Sequence, residues 1–265
     1  MLFQTLDDKK ECVGYFLDGE LVFDKLPDGA SKTWNYAPHL ADREVEYAKL
    51  YCGGRSLEEV CPENLREEWA EINKKLKAFV RSFKEARVSL QDNCFFDLVP
   101  QRFLLEFCNL KNKISQHVFA NYARPQNYDF LIELIKLTEQ IKENRLEINT
   151  SALKGRMAEF KVRQFAQKLN KVQHSCRYNV FGTKTGRLTT EKNSFPILTM
   201  EKEFRKVIQP KNDCFVELDF NAAELRTLLA LLGADQPQQD IHEWNLENVY
   251  RGIGTRELAK KRIFA

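Results

Sequence analysis

One apolar stripe constrains this chain more than any other feature. Between Asn64 and Val88, Leu65, Trp69, Ile72, Leu76, Phe79 and Phe83 recur at alternating steps of four and three residues. That spacing lines up side chains along one face of an α-helix. Glu67, Lys74, Lys75, Lys77 and Lys84 fall off the face. A helix with so continuous an apolar face has to bury it against another element, so the stripe is read as packing and is given no function. Phe95 to Val118 predicts a second buried helical stretch, and Pro125 separates it from a third helix over about 130–144. Ala152 to Val172 predicts a fourth, with Leu153, Met157, Phe160, Phe165, Leu169 and Val172 facing inward.

Strand signals sit at the two ends. Val13–Phe16 and Leu21–Phe23 flank Asp18-Gly19, a hairpin pattern. Phe215 to Leu218 reads as an apolar strand interrupted by Glu217. A helix over 222–232 follows, with Leu225, Leu228, Leu229 and Leu232 on one face. Asp240 is placed to cap a helix from Ile241 to about Tyr250, and Thr255 to cap a last helix beginning near Arg256. The expected class is therefore α+β, mostly helical, with a β-containing N-terminal region.

A chain of 265 residues with 43% hydrophobic and 30% charged residues is neither disordered, collagen-like nor a membrane bundle. Its longest apolar run, Leu228 to Leu232, is far too short to span a bilayer. Met1 is followed by no charged-then-apolar stretch, so a cytoplasmic protein without a membrane partner is expected. Seven cysteines, an odd number without a C-x-x-C pair, predict reduced thiols. Four histidines scattered at 39, 117, 174 and 242 suggest no structural zinc site by spacing.

The net charge of +3 is uninformative, but its distribution is not. From Ser151 to Lys192 there are ten basic residues: Lys154, Arg156, Lys161, Arg163, Lys168, Lys171, Arg177, Lys184, Arg187 and Lys192. Within that window only Glu159 and Glu191 oppose them. Such an excess is an electrostatic footprint suited to a phosphate backbone.

Three segments carry candidate chemistry. In the first, Asp219 ends the expected strand, where a carboxylate and the following carbonyl of Phe220 can hold a hard divalent cation. Glu224 lies in the next helical turn. In the second, Thr183 to Thr190 places small hydroxyl residues and Arg187 around Gly186, allowing close approach to a phosphate or groove. In the third, Arg256, Lys260 and Phe264 are spaced four and four. They share a helical face and suit a triphosphate with a base stacked beyond it. Taken singly, each segment also reads as a capping carboxylate, a solvated loop or a basic surface helix.

Their order and spacing resemble the polymerase domain of family A DNA polymerases, the bacterial polymerase I type. TGRLTT (185–190), DFNAAELR (219–226), DIH (240–242) and RELAKKRIFA (256–265) follow one another as the family's motifs do, over about 80 residues. The resemblance implies roles. Asp219 would be a catalytic metal-binding aspartate with the Phe220 carbonyl beside it, and Mg2+ the cofactor. Glu224 would be a steric gate against ribonucleotides. His242, Arg256 and Lys260 would hold the incoming triphosphate, with Phe264 packing on its sugar and base. Thr185 and Arg187 would contact DNA near the primer end. The basic face of Lys161, Arg163, Lys168 and Lys171 is a further candidate DNA contact.

Departures accompany the match. Phe220 stands where the family has Tyr, and Asn221-Ala222-Ala223 where it has Ser-Gln-Ile. The family's later His-Asp-Glu motif, with the second metal-binding aspartate, is not among these residues. The expectation is thus an N-terminal portion of a DNA-directed DNA polymerase. Its organisation would be an N-terminal domain over 1–145, a basic thumb-like segment over 146–192, and a partial palm with the start of the fingers over 193–265. An exonuclease reading of 1–145 would use Asp18-Gly19-Glu20 and the stretch Asn93 to Asp97. The hairpin reading of Asp18-Gly19 is preferred, leaving a degenerate or unrelated domain as the default. Expected partners are primer-template DNA, deoxynucleoside triphosphates and a C-terminal fragment carrying the second aspartate. Without that fragment the chain is expected to be inactive. The alternatives are a non-catalytic nucleic-acid-binding module and a structural partner subunit.

Overall fold

A two-residue turn sets the N-terminal strands. β1 (Phe3–Asp8), β2 (Glu11–Leu17) and β3 (Glu20–Val22) pair antiparallel in that order, with Leu17 opposite Glu20. Asp18 and Gly19 both have positive φ, 50° and 90°. That is the primed turn whose twist matches the strands, so the hairpin reading of this dipeptide holds. Two short parallel strands follow, β4 (Lys32–Thr33) and β5 (Glu46–Tyr47). The structure is a computed structural model describing residues 1–9 and 11–263. Its chain divides into two units, Met1–Gln209 and Pro210–Ala265.

The first unit is organised by helices. α1 (Ala48–Tyr51) and α2 (Leu57–Val60) are single turns, the second opened by a capping box between Ser56 and Glu59. α3 (Arg66–Glu85) is the helix of the stripe. Ile72 is buried, and Leu65, Trp69, Leu76, Phe79 and Phe83 pack against the core formed with the later helices. The Phe79 and Phe103 rings meet edge to face at 5.0 Å.

The expected helix over 95–118 is two pieces, α4 (Phe95–Leu98) and α5 (Gln101–Asn121). Pro100 lacks an N–H and forces Val99 into the extended region, so the helix stops and restarts there. α5 is buried on two sides. Phe103, Leu104, Leu110, Ile114 and Val118 join the core that receives α3. Cys108 packs with Leu6 and Phe16 of the β-meander. Gln4, fully buried on β1, donates to Asn112 Oδ1 at 2.8 Å and Ser115 Oγ at 3.3 Å, tying strand to helix.

α6 (Tyr128–Glu143) is anchored where the Tyr47 N–H donates to the Tyr128 hydroxyl at 2.8 Å. β6 (Glu147–Ile148) pairs antiparallel with β9 (Ile208–Gln209). Between them, the single helix expected over 152–172 is replaced by a 3-10 segment, Thr150–Arg156, and α7 (Phe160–Leu169). The break shifts the helical phase. Leu153, Val162, Phe165 and Leu169 are buried, whereas Met157 and Phe160, expected inward, face solvent. Phe165 stacks on Phe204 with centroids 4.4 Å apart, which brings 195–208 into the same core. β7 (Tyr178–Asn179) and β8 (Thr189–Thr190) form a small hairpin under the Gly/Thr loop.

The second unit contains α8 (Ala223–Leu231), α9 (Ile241–Asn248) and α10 (Arg256–Ile263), with α9 packed on α10. The strand expected over 215–218 is not formed. The segment has no strand pairing among the described residues. Phe215, Val216, Leu218 and Phe220 are exposed. Apolar residues alone do not make a strand, since its backbone groups need a neighbouring strand to pair with. The leucine face expected to bury α8 is only half covered: Leu225 and Leu229 are half-buried, whereas Leu228 and Leu232 are exposed, as is Leu231 off that face.

The two-sided burial of α5 sets an expected stability effect. Ile114→Ala, at a position with no solvent exposure, is expected to cost about 3–4 kcal/mol by cavity formation. Lys77→Ala on the outer face of α3 should change stability by less than about 0.5 kcal/mol. Urea denaturation of both variants measures the contrast.

Candidate functional site

The turn before α8 presents Asp219. The chain runs exposed through Leu218, Asp219 and Phe220, then Ala222 adopts the left-handed conformation, φ 49°, and α8 begins. Arg226 holds this turn. Its Nε donates to the Asn221 carbonyl at 3.0 Å, and its Nη1 and Nη2 donate to the carbonyls of Pro237 and Gln239 at 2.8 and 3.3 Å. One guanidinium, one turn inside α8, thus ties the approach to α8 to the approach to α9. Glu224 is exposed in the first turn of α8.

Asp240 is the second hub. It caps α9 by accepting from the His242 and Glu243 backbone N–H groups at 2.9 and 3.1 Å. The same carboxylate receives the Asn221 side-chain amide at 3.3 Å and a forked contact from Arg256, 3.2 Å from Nε and 2.8 Å from Nη2. Arg256 holds the Asp240 carboxyl well below the usual carboxylate range, helped by the α9 amides and Asn221 and opposed by partial burial. Asn221, Asp240 and Arg256, drawn from three separate motif segments, therefore meet on one side chain. Arg256, expected to hold a triphosphate, is paired here with Asp240 and at 3.0 Å with Glu257.

His242 is buried, and Lys260 lies exposed one turn beyond Arg256 on α10, whose N-terminus Thr255 caps. Phe264 lies outside the described residues.

The candidate DNA contacts belong to the first unit. Lys168 and Lys171 are exposed, and Lys161 stands 3.7 Å from Glu201. Arg163 turns back to the connection before α7, donating to the carbonyls of Met157 and Ala158. Arg156 is bridged by Glu159 and Glu203, both at 2.7 Å. The positive surface is thus smaller than the sequence count, because Glu201 and Glu203 arrive from outside the basic window. In the Gly/Thr loop, Thr183 Oγ1 donates to the Arg187 carbonyl at 2.9 Å and Thr185 Oγ1 to Thr183 Oγ1 at 3.4 Å. Gly186 has φ 76° at its tip. Gly182 leaves the room that Thr189 fills, since a Cβ there would lie 1.7 Å from Thr189 Oγ1.

For a cation, Asp219 and the adjacent Phe220 carbonyl offer oxygen ligands of the kind magnesium takes alongside water and substrate phosphates. Asp219 belongs to no group of three clustered potential ligands among the described residues. The group that does cluster is Asp7, Cys12 and His39, which spacing along the chain did not reveal. The β1–β2 pairing that unites the first two was not read from the sequence, whose hairpin signal at Asp18-Gly19 belongs to β2 and β3. All seven cysteines are free thiols. No helix among the described residues is long and apolar enough to cross a membrane. Comparisons with known protein families, with curated proteins and with solved structures found no match.

Two substitutions report on this network. Asp240→Asn keeps much of the cap but loses the charge pair, and should lower the stability of the second unit. Because the folded pKa of Asp240 is depressed, its contribution is complete above the ordinary aspartate pKa of about 3.9 and is lost as pH falls below that value. The gap between parent and variant should therefore be full at pH 7 and narrow through the acid range in denaturation curves. Ala222→Gly should act in the opposite direction. It relieves a left-handed penalty of about 1–2 kcal/mol and adds about 0.5–1 kcal/mol of chain entropy cost, so a small net stabilisation is expected in the same assay.

Proposed function

We propose that this chain is part of a template-directed DNA polymerase of the family A type, completed by a further polypeptide segment that supplies a second metal-binding carboxylate. The observation that carries the proposal is the state of the segment ending in Asp219. Four apolar side chains, Phe215, Val216, Leu218 and Phe220, stand in solvent on a stretch of backbone without a strand partner among the described residues. The exposed leucines of α8 follow directly. Contiguous exposed apolar surface of this kind marks an interaction site. The completing strands would pair with 215–218, fix Asp219 at a strand end and cover α8. The ordered motif segments, three of which converge on Asp240, support the same reading.

In this reading each side chain has a separate task. Asp219 and the Phe220 carbonyl are the oxygens this chain offers to magnesium, which when bound with a second ion stabilises the attacking and leaving oxygens of nucleotidyl transfer. Lys260 neutralises phosphate charge from α10 throughout the reaction. Arg256, once released in part from Asp240, adds a forked donor suited to phosphate oxygens. Glu224 crowds the sugar 2′ position. Arg226 and Asn221 keep the turn that carries Asp219 in register with α9. Lys168, Lys171 and the loop of Thr185 and Arg187 contact the DNA backbone and groove.

Primer extension with Mg2+ tests the proposal. The chain alone should bind primer-template weakly, with affinity falling steeply as salt rises, and should not extend it. Addition of a completing fragment that bears the second aspartate should restore extension. In the completed enzyme Asp219→Asn should reduce extension by several orders of magnitude with DNA binding nearly unchanged, because a metal ligand is lost and not a phosphate contact. Glu224→Ala should raise ribonucleotide relative to deoxynucleotide incorporation, and Lys260→Ala should mainly raise the nucleotide KM. DNA binding that no fragment converts into extension, or extension indifferent to Asp219→Asn, would replace this reading with that of a binding module.

A further inference from the structure

A bulge in the first hairpin assembles a site unrelated to the polymerase motifs. From Phe3 opposite Leu17 to Leu6 opposite Gly14 the strand register is regular. It then shifts, so that Asp7 lies opposite Cys12 and Val13 is the extra residue. Had the register continued, Asp7 would face Val13 and Cys12 would share a face with Asp8. Residues directly opposite on paired strands point to the same side, and a bulge re-aims side chains in this way. Next to the bulge, Gly14 lets the chain at the end of β3 approach closely, since a Cβ there would lie 3.0 Å from the Phe23 ring and the Val22 carbonyl.

The third member comes from the loop between β4 and β5. His39, in the short 3-10 turn Pro38–Leu40, places its Nδ1 3.7 Å from Asp7 Oδ1. Its ring rests against Tyr15 with centroids 5.9 Å apart. One ligand atom each from Asp7, Cys12 and His39 lies within 4.8 Å of the others. Atoms bound to a tetrahedral zinc at its usual bond lengths of about 2.0–2.3 Å stand about 3.5 Å apart, so closure needs only small side-chain adjustments. Thr5 Oγ1 donates to the remaining oxygen of Asp7, the outer hydrogen bond that orients ligating carboxylates. Asp7 and His39 also form part of the wall of a cleft of about 1300 Å³, from which water can reach a fourth position.

We propose that Asp7, Cys12 and His39 form a three-ligand site for a borderline divalent cation, zinc foremost, with water as the fourth ligand. Thiolate, imidazole and carboxylate together favour zinc over magnesium or calcium, which take oxygen ligands. Burial raises the Cys12 thiol and lowers the His39 imidazole, so the sulfur carries its proton and the ring is neutral near pH 7. Burial lowers the pKa of Lys111, while Cys108 and Asp7 raise it in turn. Metal binding then forms one metal–sulfur bond and releases the thiol proton to solvent. The bound ion would fasten the 36–43 loop to the bulged hairpin.

Titration of the metal-free 265-residue chain with Co2+, followed by Zn2+, tests the site. The expected result is one saturable Co2+ per chain, with the strong visible bands of four-coordinate cobalt and a sulfur-to-cobalt charge-transfer band, all removed by Zn2+. Cys12→Ser should abolish the charge-transfer band. Asp7→Asn and His39→Ala should keep that band while weakening Co2+ binding at least about tenfold, and Thr5→Val should weaken it by about 10–100-fold. Cys214→Ser, at an exposed thiol in the other unit, should change nothing. Circular dichroism checks that each variant is folded. If Cys12→Ser unfolds, the near-isosteric Asp7→Asn decides. The proposal is overturned by absence of saturable binding, by a charge-transfer band that survives Cys12→Ser or vanishes with Cys214→Ser, or by unchanged affinity in a folded Asp7→Asn variant.

Discussion

The joining of helices to the β-meander in the first unit depends on α5 having two faces to bury. A helix that packs on one side needs a stripe. One that packs on both needs apolar residues around most of its circumference, and α5 supplies Phe103, Leu104, Cys108, Leu110, Ile114 and Val118. The α3 stripe closes one side and the β-meander the other. Gln4 adds direction to that second contact. A buried amide donor is costly unless its hydrogen bonds are made, so the pairing of Gln4 Nε2 with Asn112 and Ser115 favours one register of strand on helix, although its Oε1 is left without a partner among the described residues. The position of the β1–β2 hairpin, and hence of Asp7 and Cys12, follows from it.

The second unit is held on different terms. Its connections run mainly through polar groups. Arg226 grips three carbonyls, and Asp240 combines a helix cap with an ion pair and an amide contact. Much of its apolar surface, from Phe215 through Leu232, lies outside. Directional contacts of this kind give a small unit a definite shape while contributing only modest net stability. Such a framework can present a binding surface before the surface is covered.

Local features of the fold were legible in the sequence because local physics decides them. The four-and-three spacing located α3, the Asp18-Gly19 pair gave its turn, and Asp240 and Thr255 capped the helices they precede. Pro100 was equally visible, and its effect on the 95–118 stretch follows from its missing N–H. What could not be read locally depends on partners distant in sequence. Phe215 to Leu218 has strand composition, but pairing is a property of two segments. Met157 and Phe160 changed sides because a 3-10 turn shifted the phase of the helix. The acids opposing Lys161 and Arg156, Glu201 and Glu203, are some forty residues further along. Of the candidate site, the convergence of Asn221, Asp240 and Arg256 required three separate segments to be placed in space. The trio of Asp7, Cys12 and His39 depended on one extra residue in a strand.

The uncovered segment that ends at Asp219 also bears on how the chain behaves at high concentration. Short apolar windows rich in β-forming residues assemble into stacked sheets when identical copies meet, each strand about 4.8 Å from the next. Phe215 to Phe220 would be such a window, except that Glu217 and Asp219 interrupt it. In an in-register stack those carboxylates would form two ladders of like charge at that same spacing. Acidic residues placed in this way act as gatekeepers against aggregation. The charge at Asp219 thus also guards solubility, and a neutral side chain there would make the polypeptide less soluble.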